Sequence, residues 1–156
     1  MKQDRFLLLI LTGIGLLMIL SIAIFLARNT KPEYKAEDTP SGVTHNFIAA
    51  IYLRDYEKAY SYMAEDPNKP DFETFRTRYS LNNNQDQPGV EIQSESIEGN
   101  SALVQLNVLQ NMGGPFERAY SNTDTAKLVK QQGKWKIVLM PYFVWQYEWY
   151  QTPVKP

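Results

Sequence analysis

Few residues in this chain have the type and spacing that chemistry requires. There is no cysteine, which excludes disulfides and thiolate metal sites, and a single histidine excludes a histidine-rich metal centre. That histidine, His45, falls opposite the apolar stripe of its helical segment. It reads as a solvent-side residue, with a pH-sensing or general-base role as the alternative. Glu65-Asp66 is a carboxylate pair, but it stands beside Pro67 in a turn, where solvated cap residues are expected. No phosphate-binding loop, nucleophile elbow or metal-ligand spacing occurs, and no cofactor is expected.

What remains is binding chemistry. Gln105 and Asn107 share one face of a strand, and Trp135 stands on a later one. These three could line a small-ligand pocket if that face looked into a cavity; otherwise the face is open to solvent. Lys127, Lys130, Lys134 and Lys136 come together if their segments form a hairpin. Lysines so placed could meet anionic lipid headgroups, or guard a sheet edge against unwanted pairing. The densest signal is Pro141 to Tyr150, PYFVWQYEWY, where six of the nine residues after the proline are aromatic. Read as a strand, it alternates Phe143, Trp145, Tyr147 and Trp149 with Tyr142, Val144, Gln146, Glu148 and Tyr150. Phe143 and Trp145 can finish a core. Tyr147, Trp149 and Tyr150 exceed what a small domain should bury, so Tyr142, Trp145, Tyr147, Trp149 and Tyr150 are expected to form a partner-binding surface.

The elements that must position these residues follow from periodicity. Pro40-Ser41 opens a helix with Val43, Phe47, Ala50 and Ile51 on one face. Asp55 begins a second, with Tyr56, Ala59, Tyr60 and Met63 at helical spacing, stopped by Glu65-Asp66-Pro67. Pro70-Asp71 caps a third, with Phe72, Phe75 and Tyr79 on one side. A loop over Asn82 to Gly89 separates helical from alternating pattern. Strands are expected at Val90 to Ile97, at Ala102 to Val108, over Phe116 to Tyr120 and Ala126 to Lys130, and at Lys134 to Met140 with Trp135, Ile137 and Leu139 facing inward. Helices followed by an antiparallel sheet make an α+β domain.

Ahead of that domain stands Phe6 to Ala27, an uncharged apolar run of 22 residues. As a helix it would span roughly 33 Å, close to the ~30 Å of a bilayer core. It is longer than a signal-peptide core and lacks a small-x-small cleavage site, since Phe25 stands two residues before Ala27. A signal-anchor is the expectation: a tail over 1–5, a transmembrane helix over 6–27, a polar linker over 28–40, the α+β domain over 41–150 and a tail over 151–156. The short basic start, with Lys2 and Arg5, favours the N-terminus inside and the domain outside. An extracytoplasmic domain without disulfides is ordinary for a bacterial plasma membrane. The first 27 residues carry a net +1 and the rest −2, on a total of −1. That balance offers no footprint for nucleic acid.

Two stretches carry a family resemblance: FIAAIYLRDYEKAYSYM, from Phe47 to Met63, and GKWKIVLM, from Gly133 to Met140. Together they resemble the nuclear transport factor 2-like superfamily, also called cystatin-like α+β. The resemblance implies three helices packed on a bent antiparallel sheet, cone-like, around an apolar pocket. Some of its members are isomerases, dehydratases or polyketide cyclases with a pocket Asp, His or Tyr; others are binding or assembly domains. His45 on the solvent side and apolar inward strand positions depart from the catalytic pattern. The reading is therefore a non-enzymatic accessory protein whose partners are the lipid bilayer and another membrane or envelope protein. The alternative is a small-ligand binder or a cyclase- or isomerase-type enzyme.

Overall fold

The computed structural model describes residues 3–28, 33–80, 87–110, 120–146 and 148–150. Two compact units emerge, Met1–Pro32 and Glu33–Pro156. In the first, α1 (Gln3–Arg28) contains Arg5–Leu26, a stretch of mean hydropathy 2.8 with no buried residue, long and apolar enough to cross a membrane.

The second unit is α+β. Its longest helix, α2 (Pro40–Leu53), starts where Thr39 accepts a hydrogen bond from the Gly42 N–H at 3.0 Å, with Pro40 in the first turn. It ends where Arg54 turns left-handed at φ 61° and its N–H bonds Ala50 and Ile51 carbonyls. Val43, Phe47, Ala50 and Ile51 are buried, as their spacing requires. In α3 (Tyr56–Ser61), the Asp55 carboxylate caps the Lys58 N–H at 3.2 Å. This helix is shorter than its apolar spacing suggests. Residues 62–64 leave it to run along a strand edge: the Ile137 N–H donates to the Tyr62 carbonyl at 2.8 Å, and the Ala64 N–H to the Ile137 carbonyl at 2.9 Å. In α4 (Phe72–Ser80), Asp71 accepts from the Thr74 N–H at 2.9 Å, and Phe75 is fully buried.

The sheet is an antiparallel meander in the order β1 (Gly89–Glu98), β2 (Ser101–Gln110), β3 (Tyr120–Gln131), β4 (Lys134–Leu139). Tyr120–Gln131 forms one continuous strand, and the upstream part of that expected strand, 116–119, lies outside the described residues, as does most of the expected loop at 82–89. The sheet is open and uncurled, with β1 and β4 as its two edges. The α2 helix packs across β1, β2 and β4 and fills one face. On that face Val104, Leu106, Ala126, Leu128, Trp135 and Ile137 meet Phe47 and Phe75. One expectation fails at the end of β4. Leu139 is exposed and Met140 is buried instead, because the β3–β4 register slips between Lys127 and Leu128 and passes over Val138.

Candidate functional site

The first unexpected element is the segment 33–39, read above as linker. It runs extended along α2 and belongs with the domain. Asn46, wholly buried on α2, holds it as a strand neighbour would: Asn46 Oδ1 accepts from the Lys35 N–H at 2.6 Å, and Nδ2 donates to the Lys35 carbonyl at 2.8 Å. His45 Nε2 lies 3.0 Å from the Glu33 carbonyl oxygen, and the Tyr34 hydroxyl donates to Asp55 at 3.0 Å. Gly42 lets the strap pass, since a Cβ there would overlap the Ala36 carbonyl oxygen.

The strap forms one wall of a groove of about 550 Å³. Glu37 and Asp38 line that wall, Lys58 and Ser61 of α3 with Tyr62 just beyond it another, and Lys134, Trp135 and Lys136 of β4 the third. The Glu37 carboxylate accepts from Lys58 Nζ at 2.7 Å and from the Tyr62 hydroxyl at 2.8 Å. Lys58 Nζ also lies 5.2 Å from the Tyr62 ring centre. The Lys58 and Tyr62 hydrogen bonds hold the Glu37 carboxyl below its usual range, and the bond from Glu37 raises the Lys58 ammonium. Burial, then the bond to Glu37, pushes the Tyr62 phenol up. Each of these shifts fixes the protonation state found at neutral pH, the opposite of what a proton-transferring group needs.

Lys136 differs. Its ammonium donates at 2.5 Å to the Ser61 carbonyl, a neutral partner. Burial lowers its pKa, with the positive charges of Lys69 and Lys134 acting in the same direction. Such a group gains from an arriving anion. The groove therefore has one fixed ion pair, a half-buried cation and two aromatic rings: equipment for holding a ligand in place.

Of the residues expected to line a ligand pocket, the structure brings Trp135 to this groove, but not Gln105 or Asn107. Gln105 and Asn107 lie on the sheet face away from the helices, because their strand neighbours Val104, Leu106 and Val108 take the core side. Gln105 accepts from the Ser94 hydroxyl there at 3.0 Å. These two residues therefore line no enclosed pocket with Trp135. Lys134 and Lys136 reach the groove, whereas Lys127 and Lys130 are exposed. Glu65 pairs with Lys69 at 2.7 Å and Asp66 caps Asn68 at 2.8 Å, which leaves both carboxylates as turn residues.

The aromatic tail also departs from expectation. A 3-10 turn at Tyr142–Val144 replaces the strand and folds the tail over the core. Trp145 packs on Phe47 and Trp149 on Phe75, at ring-centre distances of 5.9 and 5.6 Å. The Tyr150 hydroxyl reaches the Ala64 carbonyl at 2.5 Å. Trp145, Trp149 and Tyr150 are thus core rather than contact surface. The short α3 covers Phe75 and Tyr79 on one side, through Tyr60 and Tyr56, and the tail rings add a further side of cover. Tyr142, 74% exposed, keeps an accessible ring, and Tyr147 lies outside the described residues.

Sequence reasoning missed Glu37, Lys58, Tyr62 and Asn46. For Asn46 a signal existed: it sits three residues after Val43 on the apolar stripe, where a buried amide demands partners. For Glu37 and Lys58, 21 residues apart, no local pattern announces the pairing.

No family model and no curated protein matches the chain. Several solved structures are similar to it. One is a SEC-C-motif-containing protein from Rhodopseudomonas palustris (17% identity, 72% of this chain, 80% of that one, TM-score 0.47). Another is a putative calcium/calmodulin-dependent protein kinase type II association domain from Thiobacillus denitrificans (14%, 64% and 90%, TM-score 0.48). A third is a putative NTF2-like transpeptidase from Campylobacter jejuni (22%, 65% and 99%, TM-score 0.45).

Proposed function

We propose that this chain is a membrane-anchored, non-enzymatic accessory protein. In this reading α1 spans a bacterial plasma membrane with the N-terminus inside, and the α+β unit binds another membrane or envelope protein on the outside. The apolar length of Arg5–Leu26 supports the anchor. The observation that carries the binding role is the groove, in which hydrogen bonds favour the charged forms of Glu37 and Lys58 while the half-buried Lys136 donates to a neutral carbonyl. Tyr142 supplies a second contact as the accessible ring of the tail.

The test is quantitative co-purification of the full-length chain from mildly solubilised membranes, comparing wild type, Lys136→Glu and Tyr142→Ala. The chain should resist carbonate extraction, and a partner should be retained by wild type. Lys136→Glu should reduce its recovery about tenfold, the loss of one charge-assisted contact; Tyr142→Ala should reduce it less. Release of the chain into the soluble fraction sinks the anchor. Partner recovery indifferent to Lys136→Glu sinks the groove.

A further inference from the structure

The groove contains a sheet edge as well as charges. Gln132 and Gly133 both have positive φ, 50° and 78°, and join β3 to β4 as a two-residue hairpin turn. In such a hairpin the flanking pair, Gln131 and Lys134, bonds across the strands. The next residue, Trp135, then turns its N–H and C=O away from β3. Two observations fix this alternation. Lys130, opposite Trp135, donates its N–H at 2.7 Å to the Asn100 carbonyl on the far side. Ile137, two residues beyond Trp135, bonds Tyr62 and Ala64 on the outer edge. Residues 62–64 thus cover the edge at Ile137, and the chain departs into α3 before reaching Trp135. Among the described residues no hydrogen bond is seen to the Trp135 N–H or C=O, both of which the alternation turns to the outer edge of β4, and Trp135 itself lines the groove.

We propose that the groove receives an extended acidic peptide of the partner protein, which adds to β4 at Trp135 as a short strand and places a carboxylate on Lys136. The proposal rests on the groove being the partner site. Backbone pairing supplies affinity in such an addition, and the flanking side chains supply selection. Lys134 and Lys136 flank the open position, with Asp38 the opposing charge outside the Glu37–Lys58 pair. Edge lysines commonly deter pairing by standing in solvent. Lys136 is folded in against the Ser61 carbonyl instead, so it repels a basic strand and favours an acidic one over a neutral one.

The probe is a mixture of acetylated, amidated five-residue peptides with Glu at the second and fourth positions and Val, Ile, Thr or Tyr elsewhere. A matched mixture carries Lys in place of Glu, and both are titrated onto the full-length chain in detergent micelles. The Glu mixture should bind about tenfold tighter than the Lys mixture, and Lys136→Glu should reverse that order. The Trp135 amide should exchange about tenfold more slowly when the Glu mixture is bound. Methylating the central peptide nitrogen should abolish both effects while leaving the charges in place. Equal binding of the methylated mixture overturns strand pairing, and full competition by millimolar inorganic phosphate reduces the site to an anion pocket and also overturns it. So does protection of the Trp135 amide by self-association through the acidic β1 edge of a second copy. If the peptides fail while partner recovery still depends on Lys136, the groove stands and only the strand mode is lost. If neither responds, both readings fall.

Discussion

The domain is closed at its two ends by segments held in opposite ways. The strap, 33–39, has every residue exposed and is fixed by polar fits: the Asn46 amide on Lys35, the Glu33 carbonyl at His45, and Glu37 on Lys58 and Tyr62. The tail, 141–150, is fixed by area, with Trp145, Trp149 and Tyr150 sunk among Phe47, Phe75 and Tyr79. Apolar burial is non-directional and insensitive to pH. Polar fits are directional, and each can be switched off by one atom or one proton. The groove is walled by the strap, so the responsive end of the domain is also the end at which binding is proposed.

Removing a ring from the tail should have the largest effect. Trp149→Ala deletes the contacts with Phe75, Tyr79 and Trp145 and leaves a cavity, at a cost of about 3–4 kcal/mol. Tyr142→Ala, on the exposed ring of the same tail, should stay within about 0.5 kcal/mol. Urea unfolding of the full chain, followed by tyrosine and tryptophan fluorescence, measures both. If Trp149→Ala were as mild as Tyr142→Ala, the tail would be a surface feature after all and the contrast with the strap would collapse.

That result bears on what could be read without coordinates. The α+β order, the starts of α2, α3 and α4 and the β3–β4 turn all follow from local pattern, because caps, periods and turn residues act within a few positions. The tail could not be read this way. Alternating aromatics satisfy a strand pattern, and whether rings are buried depends on how much of Phe75 and Tyr79 the rest of the fold leaves bare. The groove was even less accessible. Its wall comes from a polar stretch with no apolar period, and it docks through Asn46, whose partners are 11 residues away and on the backbone. Backbone partners leave no trace in side-chain pattern.

A smaller loss is expected at Asn46. Asn46→Leu removes the amide that satisfies both Lys35 backbone groups, which should cost about 1–2 kcal/mol. The released strap should show as faster exchange at the Lys35 amide, with the amides of β2 and β3 unchanged. Gly42→Ala should displace the same strap by a steric route, leaving Asn46 intact. If both variants unfolded the whole domain cooperatively, strap and core would be one unit and the polar end would have no independence.

The smallest effect should be the pH response, and it separates the two ends most cleanly. Glu37 titrates lower in the fold than in the unfolded chain because Lys58 and Tyr62 bond its charged form. A depressed carboxyl stabilises the fold above its unfolded pKa, and that contribution disappears as pH falls through the folded pKa. Acidification below the ordinary glutamate range should therefore loosen the strap first. Both side chains of the Glu37–Lys58 pair are more than a third exposed, so solvent screening limits the contribution to about 0.5 kcal/mol. A difference that small is best read locally, from exchange at the strap amides between pH 6 and pH 3 after correction for the intrinsic rate. Tyr62→Phe removes one of the two bonds to Glu37 and should move the onset of loosening to higher pH. Glu37→Gln should abolish the pH dependence and leave the strap partly loose throughout. The rings of the tail should show no corresponding change over the same range. Parallel loosening of strap and tail in wild type would mean that the acid response belongs to the whole domain, and the Glu37 contact would then have no separate part in it.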